Sequence, residues 1–399
     1  MQKIAFSRTV KGILARVFGL SFLSAFIFTI TVAIRHLLET PMKLESPLPG
    51  EAHYYKWKHG YIFYKVLGES KSPSLLLLHS PGLAASSYEM RSMLEPLAQH
   101  YRVYTPDLIG FGISDHPQIE YSSDVYSTLC HDFLTDVVKQ PAIIVASRVS
   151  CNYAVAIAAK YPNLCERLVL LSPQSLEDKQ DQPSRTPVSF SKNLFAKAWQ
   201  VLLQVTSVQL LLYPLLSTRF ALQSLTAQYH SSINENDLEY SYAAAHQLGA
   251  ERAAMAFLGG KLALNVSQQL ELLQQPTLVI WGAKGLSNSR HIGNQHDISW
   301  MKSQTRLALL PDAGLAVHEE QPMKVSATIV SWSEEGKAAM VSRETITIEA
   351  YCAKCKIKRN MLNPVEVTSK DGRPAVRGTC EVCGSNLHRF GRIQQQTLT

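Results

Sequence analysis

The stretch from Ala142 to Tyr161 constrains this chain most tightly. Ala142–Val145 is a short apolar run, Ala146-Ser147-Arg148-Val149-Ser150 is a turn built from small residues around an arginine, and Asn152–Tyr161 reads as a helix. A strand without polar alternation has both faces covered, and one that turns directly into a helix belongs to a parallel sheet. The same rhythm recurs along the chain. Ser74–His79, Tyr101–Thr105, Arg167–Ser172, Pro276–Trp281 and Arg306–Leu310 are expected as strands. Ser122–Val138 and Met323–Glu334 are expected as helices, and Tyr54–Trp57 with Tyr61–Val66 as a strand pair joined by His59-Gly60. The fold class is therefore α/β, with a mainly parallel sheet covered on both faces.

Leu176–Leu273 breaks this alternation with long apolar-periodic stretches, Phe195–Tyr213 and Tyr240–Lys261, and no convincing strand. It is expected to form a helical cap inserted into the sheet domain. The expected organisation is a basic tail (1–16), a membrane anchor (17–35), a linker (36–52), a sheet domain in two parts (53–175 and 274–336) around the cap (176–273), a second linker (337–344), a cysteine-bearing module (345–394) and a short tail (395–399).

Val17–Ile34 runs 18 residues without a charge, preceded by Lys3, Arg8, Lys11 and Arg16 and no acid. As a helix it would span about 27 Å, close to the hydrocarbon thickness of a bilayer. The apolar run exceeds the core of an ordinary signal peptide, which favours a retained single-pass anchor with a cytoplasmic N-terminus.

Charge is unevenly placed. The net charge is +7, of which +6 lies between Tyr351 and Thr399, so the central region is near neutral and points away from nucleic acid. Cys130, Cys151 and Cys165 stand singly in apolar surroundings and are expected in the core. The other four form two C-x₂-C knuckles, Cys352-Ala353-Lys354-Cys355 and Cys380-Glu381-Val382-Cys383, separated by 24 residues. Four thiolates at this spacing suit tetrahedral Zn²⁺, and so short a segment needs such a staple to fold. The module resembles a small zinc-ribbon family, with Thr345–Ala350, Pro364–Thr368 and Pro374–Gly378 as its strands. Reduced thiolates suit the inside of a cell, whereas the charge bias around 17–34 places these domains outside; the two indications oppose each other.

From Tyr54 to Glu335 the chain resembles the α/β-hydrolase superfamily with a helical cap. The residues that carry the resemblance are Leu75–His79 with Pro81-Gly82 and Ser86-Ser87-Tyr88, then Asp107–Asp115, the turn at 146–150, Tyr161-Pro162, Trp281-Gly282 and Pro311–Pro322. The turn matches the nucleophile elbow, which normally reads Gly-x-Ser-x-Gly. The resemblance implies a catalytic triad, and its positions are lost here. The nucleophile falls on Arg148, the acid near Gly285 and the base on Leu315. A guanidinium is never deprotonated in a protein and cannot attack carbon. In the oxyanion turn the family's donor residue is Pro81, after His79-Ser80, and proline has no N–H.

These losses imply a membrane-anchored pseudo-hydrolase that serves as a binding or scaffold subunit. Its partners would be the lipid bilayer, a protein in a membrane complex, and a small acyl or anionic ligand held near Arg148, Ser80 and Pro81. Arg148 is expected to be at least half-buried and paired with an acid or with backbone carbonyls, since an unpaired buried charge is severely costly; the sharper alternative is an anion pocket at the helix N-terminus. The competing reading is an atypical serine hydrolase, esterase- or lipase-like, with Ser147 or Ser150 and His318 as a rearranged site; His79 is expected to be structural.

Overall fold

The computed structural model describes residues 43–173, 212–226, 234–284, 301, 304–344, 348–368, 371, 373–380 and 382–390. The expected anchor at 17–34, most of Phe195–Tyr213 and the position of Gly285 lie outside the described residues. Among the described residues no helix is long and apolar enough to cross a membrane. The chain divides into two compact units, Met1–Val330 and Ser331–Thr399.

The first unit is built on eight strands: β1 (Glu51–Trp57), β2 (Gly60–Leu67), β3 (Ser74–Leu78), β4 (Arg102–Pro106), β5 (Ala142–Ser147), β6 (Cys165–Leu171), β7 (Thr277–Gly282) and β8 (Thr305–Leu310). Their order in the sheet is β1-β2-β4-β3-β5-β6-β7-β8. The β1–β2 and β2–β4 pairs are antiparallel, and every pair from β4 to β8 is parallel. Every residue of β3 and β5 is buried, which is why these segments read as unbroken apolar runs. Strand β8 closes the sheet as a half-exposed edge.

Helices α1 (Arg91–Ala98), α2 (Ser123–Phe133) and α3 (Ser150–Lys160) fall between the strands. Tyr126 and Phe133 of α2 and Tyr153 of α3 are fully buried in one core cluster, where Tyr126 and Tyr153 stack at 5.5 Å. Each phenol keeps a partner: Tyr126 donates to the Ile109 carbonyl and Tyr153 to that of Leu262. After Phe133 the helix widens into a π-type turn, Leu134–Val138, and Lys139 stops it in the left-handed conformation. The span expected as one helix, Ser122–Val138, thus has the right extent and two geometries. The lone cysteines Cys130, Cys151 and Cys165 are all buried, and burial pushes the Cys130 thiol up to about 12, far from reactivity.

Among the described cap residues the regular elements are helices: 212–216, α4 (Arg219–Thr226), α5 (Glu235–Ala245), α6 (Ala250–Leu258) and α7 (Ser267–Leu272). Tyr240–Lys261, expected as one continuous stretch, is broken between α5 and α6. Gly249 sits there at φ +88°, and a Cβ on it would come within 2.8 Å of the His116 carbonyl oxygen. Glycine is required at that position, and apolar periodicity alone does not register it. A helical turn, Val317–Glu320, and α8 (Pro322–Glu344) follow β8.

The second unit carries a four-stranded antiparallel sheet in the order β12-β11-β10-β9, from β9 (Ile348–Cys352), β10 (Ile357–Thr368), β11 (Pro374–Cys380) and β12 (Asn386–Phe390). Its core is small: Ala350, Met361, Val376 and Leu387 beside Cys352 and Cys380.

Candidate functional site

The site grows out of the β5–α3 turn. Strand β5 ends at Ser147, and α3 begins at Ser150, two residues earlier than its composition suggests. The turn residue, Arg148, has φ +44°, a left-handed conformation costly for any side chain with a Cβ. It persists because the Arg148 N–H is bound to the Leu171 carbonyl of β6 at 2.9 Å. The apex of the elbow is therefore Arg148, as the small residues around it implied.

Arg148 points into a cavity of about 260 Å³ between the sheet domain and the cap. Ser80, Pro81, Leu83 and Tyr88 line it from the sheet side, and Leu222, Leu238 and Phe257 from α4, α5 and α6. The residue that organises its floor is Glu89. One carboxylate oxygen, Oε2, accepts the Ser80 backbone N–H at 2.9 Å. The other, Oε1, accepts from Ser147 Oγ at 2.6 Å and His318 Nε2 at 3.0 Å, and lies 3.4 Å from Arg148 Nη2. The Glu89 side chain is 8% exposed and that of Arg148 19%. Burial alone would push the Glu89 carboxyl up. The Arg148 guanidinium, with the His318 and Ser147 hydrogen bonds, overrides it and holds the group well below the usual carboxylate range. Glu89 is ionised, so His318 must carry its proton on Nε2 to donate to it.

This arrangement differs from a catalytic triad in its order. A triad places histidine between serine and acid, so that the imidazole can take the hydroxyl proton. Here the carboxylate stands in the middle, and Ser147 and His318 both donate to the same oxygen. Ser147 is fully buried, and Ser150 turns away to donate to the His79 carbonyl at 2.6 Å. The hydroxyls of Ser147 and Ser150 thus both donate to groups other than His318. Leu315, at the expected base position, is half-buried and has no titratable atom. His79 holds the loop: its Nε2 accepts the Leu108 N–H at 2.9 Å and its Nδ1 faces the Ser80 carbonyl, while burial lowers its pKa.

Around this centre the fold's supports are intact. Asp107 is buried and accepts the N–H groups of Ser87 at 2.6 Å and Ile113 at 2.8 Å, which pins the Ser86–Tyr88 turn and with it Glu89. Gly282 at the end of β7 is equally constrained, since a Cβ there would meet the Gly314 carbonyl oxygen at 2.0 Å. At the cavity wall, Arg91 of α1 pairs with Asp237 of α5 at 2.8 Å and with Glu319 at 2.5 Å, and Tyr88 donates to Asp237 at 2.8 Å. One guanidinium thus ties the sheet domain to the cap.

Sequence reasoning did not single out Glu89. The one signal for it was indirect: a buried arginine demands an acid, and Glu89 directly follows the Ser86-Ser87-Tyr88 turn that faces the elbow.

In the second unit the four sulfurs of Cys352, Cys355, Cys380 and Cys383 lie within 4.8 Å of one another, with Cys352–Cys383 at 3.4 Å and Cys355–Cys380 at 4.0 Å. A tetrahedral ion bonded to sulfur at about 2.3 Å separates its ligands by about 3.8 Å, so the four sulfurs fit such an ion.

A family model described as the alpha/beta hydrolase fold matches residues 73–322, more than half of the chain. The chain belongs to the α/β-hydrolase fold family. Residues 351–390 match a domain of unknown function, DUF5679. An uncharacterized protein of Mycobacterium tuberculosis is 31% identical over 119 residues, 30% of this chain and 34% of its own length. The alignment thus spans about a third of that relative. Epoxide hydrolase 3 of Xenopus tropicalis is 20% identical over 74% of this chain and 81% of its own. Among solved structures, Cfl2 from Burkholderia cenocepacia superposes with a TM-score of 0.58 at 20% identity, covering 73% of this chain and all but 1% of its own. A haloalkane dehalogenase loop variant from Bradyrhizobium elkanii gives 0.57 at 19% identity, with 73% and 99% covered. These likenesses extend to the fold.

Proposed function

We propose that this chain is a hydrolase-fold protein without hydrolase chemistry, which holds a small ligand beneath its cap and acts as a binding or scaffold subunit. Its N-terminal segment anchors it in a membrane, and a Zn²⁺-stabilised ribbon at its C-terminus docks a protein partner. The observation that supports this reading is the occupation of the reaction centre by Glu89. Ser147, His318 and the Ser80 backbone N–H all converge on this side chain. Arg148, where a nucleophile would stand, neutralises it. Losing a triad serine or histidine alone lowers turnover by about 10⁶-fold, and the residual rate rests on an oxyanion hole. Here Pro81 has no N–H and that of Ser80 is taken.

The cavity is smaller than most cofactor pockets, and its walls are aliphatic and aromatic above a charged floor, which suits a small amphiphile. For the ribbon, the four cysteines satisfy zinc's preference in number, type and spacing, and zinc would supply the cross-link its small core lacks. The anchor rests on the 18-residue apolar run and its basic flank.

The decisive experiment treats the full-length protein with a fluorophosphonate probe and a panel of carboxylic esters. The expected result is no covalent labelling and no turnover above background. Labelling that disappears in Ser147→Ala or Ser150→Ala would establish the atypical serine hydrolase instead. Extraction of the protein by alkaline carbonate would refute the anchor, and a metal content well below one zinc per chain would refute the ribbon assignment.

A further inference from the structure

Resting on that ligand-binding reading, we infer that Glu89 sets the charge of the ligand: the cavity takes neutral or cationic amphiphiles and rejects carboxylates. An arginine at the base of an apolar cavity invites the opposite expectation, a fatty acid or similar anion. The geometry weighs against it. Two donors an incoming carboxylate would use, the Ser80 N–H and Arg148 Nη2, already face a carboxylate of the chain itself. A ligand anion would have to displace Glu89 or lie against it, and two carboxylates cannot both stay ionised at close quarters without a large penalty.

The rest of the lining points the same way. Its charged residues are Arg91 and Arg148 against Glu89, Asp237 and Glu319, so the wall carries one excess negative charge. Arg91 is engaged by Asp237 and Glu319. Glu89 therefore acts as a built-in substitute for an anionic ligand head group. A hydroxyl or amide head can still hydrogen-bond to the floor, and an ammonium head is drawn to the excess charge, while the alkyl body lies against Leu222, Leu238 and Phe257.

Ligand-observed NMR or calorimetry on the full-length protein at pH 7.5 tests this with three probes of equal chain length: 1-hexanol, hexylammonium and hexanoate. The expected result is that hexanol and hexylammonium bind at least tenfold tighter than hexanoate. In Glu89→Gln, which keeps the shape and removes the charge, hexanoate should gain at least tenfold and hexylammonium should lose affinity. Equal binding of all three to the native protein, or a preference for hexanoate, overturns the inference and leaves the ligand-binding reading standing. Binding of none of them overturns both. The comparison on the native protein alone is decisive should the variant not fold.

Discussion

Two polar clusters, one in each unit, differ in whether the protein completes them. Around Glu89 the chain supplies both signs of charge: a carboxylate, a guanidinium and three further donors satisfy one another inside the sheet domain. Around Cys352, Cys355, Cys380 and Cys383 it gathers four sulfurs of one chemical kind, close enough together to hold a metal ion. The first cluster pairs its charges within the chain; the second leaves room for an ion among its four sulfurs. The cost of an uncompensated charge away from water accounts for the pairing in the first cluster, and the donor set of the second suits a metal ion.

The comparison breaks most visibly at the cysteines. Chelation, or Cys352→Ser, should abolish the ordered ribbon, because structural zinc contributes about 10–16 kcal/mol of apparent free energy to such modules. Amide dispersion of residues 348–390 by NMR reads this out, and thermal unfolding of the sheet domain should stay unchanged. Next, Glu89→Ala leaves Arg148 buried without this carboxylate and should destabilise the first unit by about 3–5 kcal/mol, measured by denaturant unfolding. A loss below about 1 kcal/mol would mean that the cluster is not the closed unit described here.

The same group sets a pH response. Its carboxyl is held below its usual 4.5 in the folded chain, so the unfolded chain binds this proton first as the pH falls. The stability Glu89 contributes is therefore complete above about pH 4.5 and drains away as the pH drops through the folded value. In Glu89→Gln this acid-side slope should be reduced. Arg91→Met, which cuts the tie between α1 and α5, should cost about 1–2 kcal/mol and raise the hydrogen exchange of the cap before that of the sheet. The smallest change is expected for Ser147→Ala: about 1 kcal/mol, since three other donors still hold the carboxylate. A loss well above about 3 kcal/mol in denaturant unfolding would mean that this hydroxyl carries more of the cluster than one hydrogen bond.

Much of the scaffold was legible because strand burial leaves a direct trace in sequence. The apolar runs at Ser74–Leu78 and Ala142–Val145 marked the centre of the sheet, and the small residues flanking Arg148 marked its apex. The two strands flanking His59-Gly60 paired as expected, and Arg148 lies beside an acid, as its burial demanded. Which acid was not readable. Glu89 lies far upstream, on a turn whose position depends on Asp107 accepting two backbone N–H groups, and nothing local to Arg148 specifies either. The break between α5 and α6 escaped for a similar reason. The conformation of Gly249 answers to the nearby His116 carbonyl, which is distant in sequence. Short-range pattern carries the elements, and long-range satisfaction of polar groups carries the site.

The left-handed backbone at Arg148 has a consequence of its own. Its amide is tied to β6, so sheet pairing, and not the side chain, dictates the direction in which position 148 projects. Whatever residue stands there is displayed into the cavity beside Glu89, as on a fixed pedestal. The chemistry of this chamber can thus be rewritten at a single codon, provided the new side chain still answers the charge of Glu89.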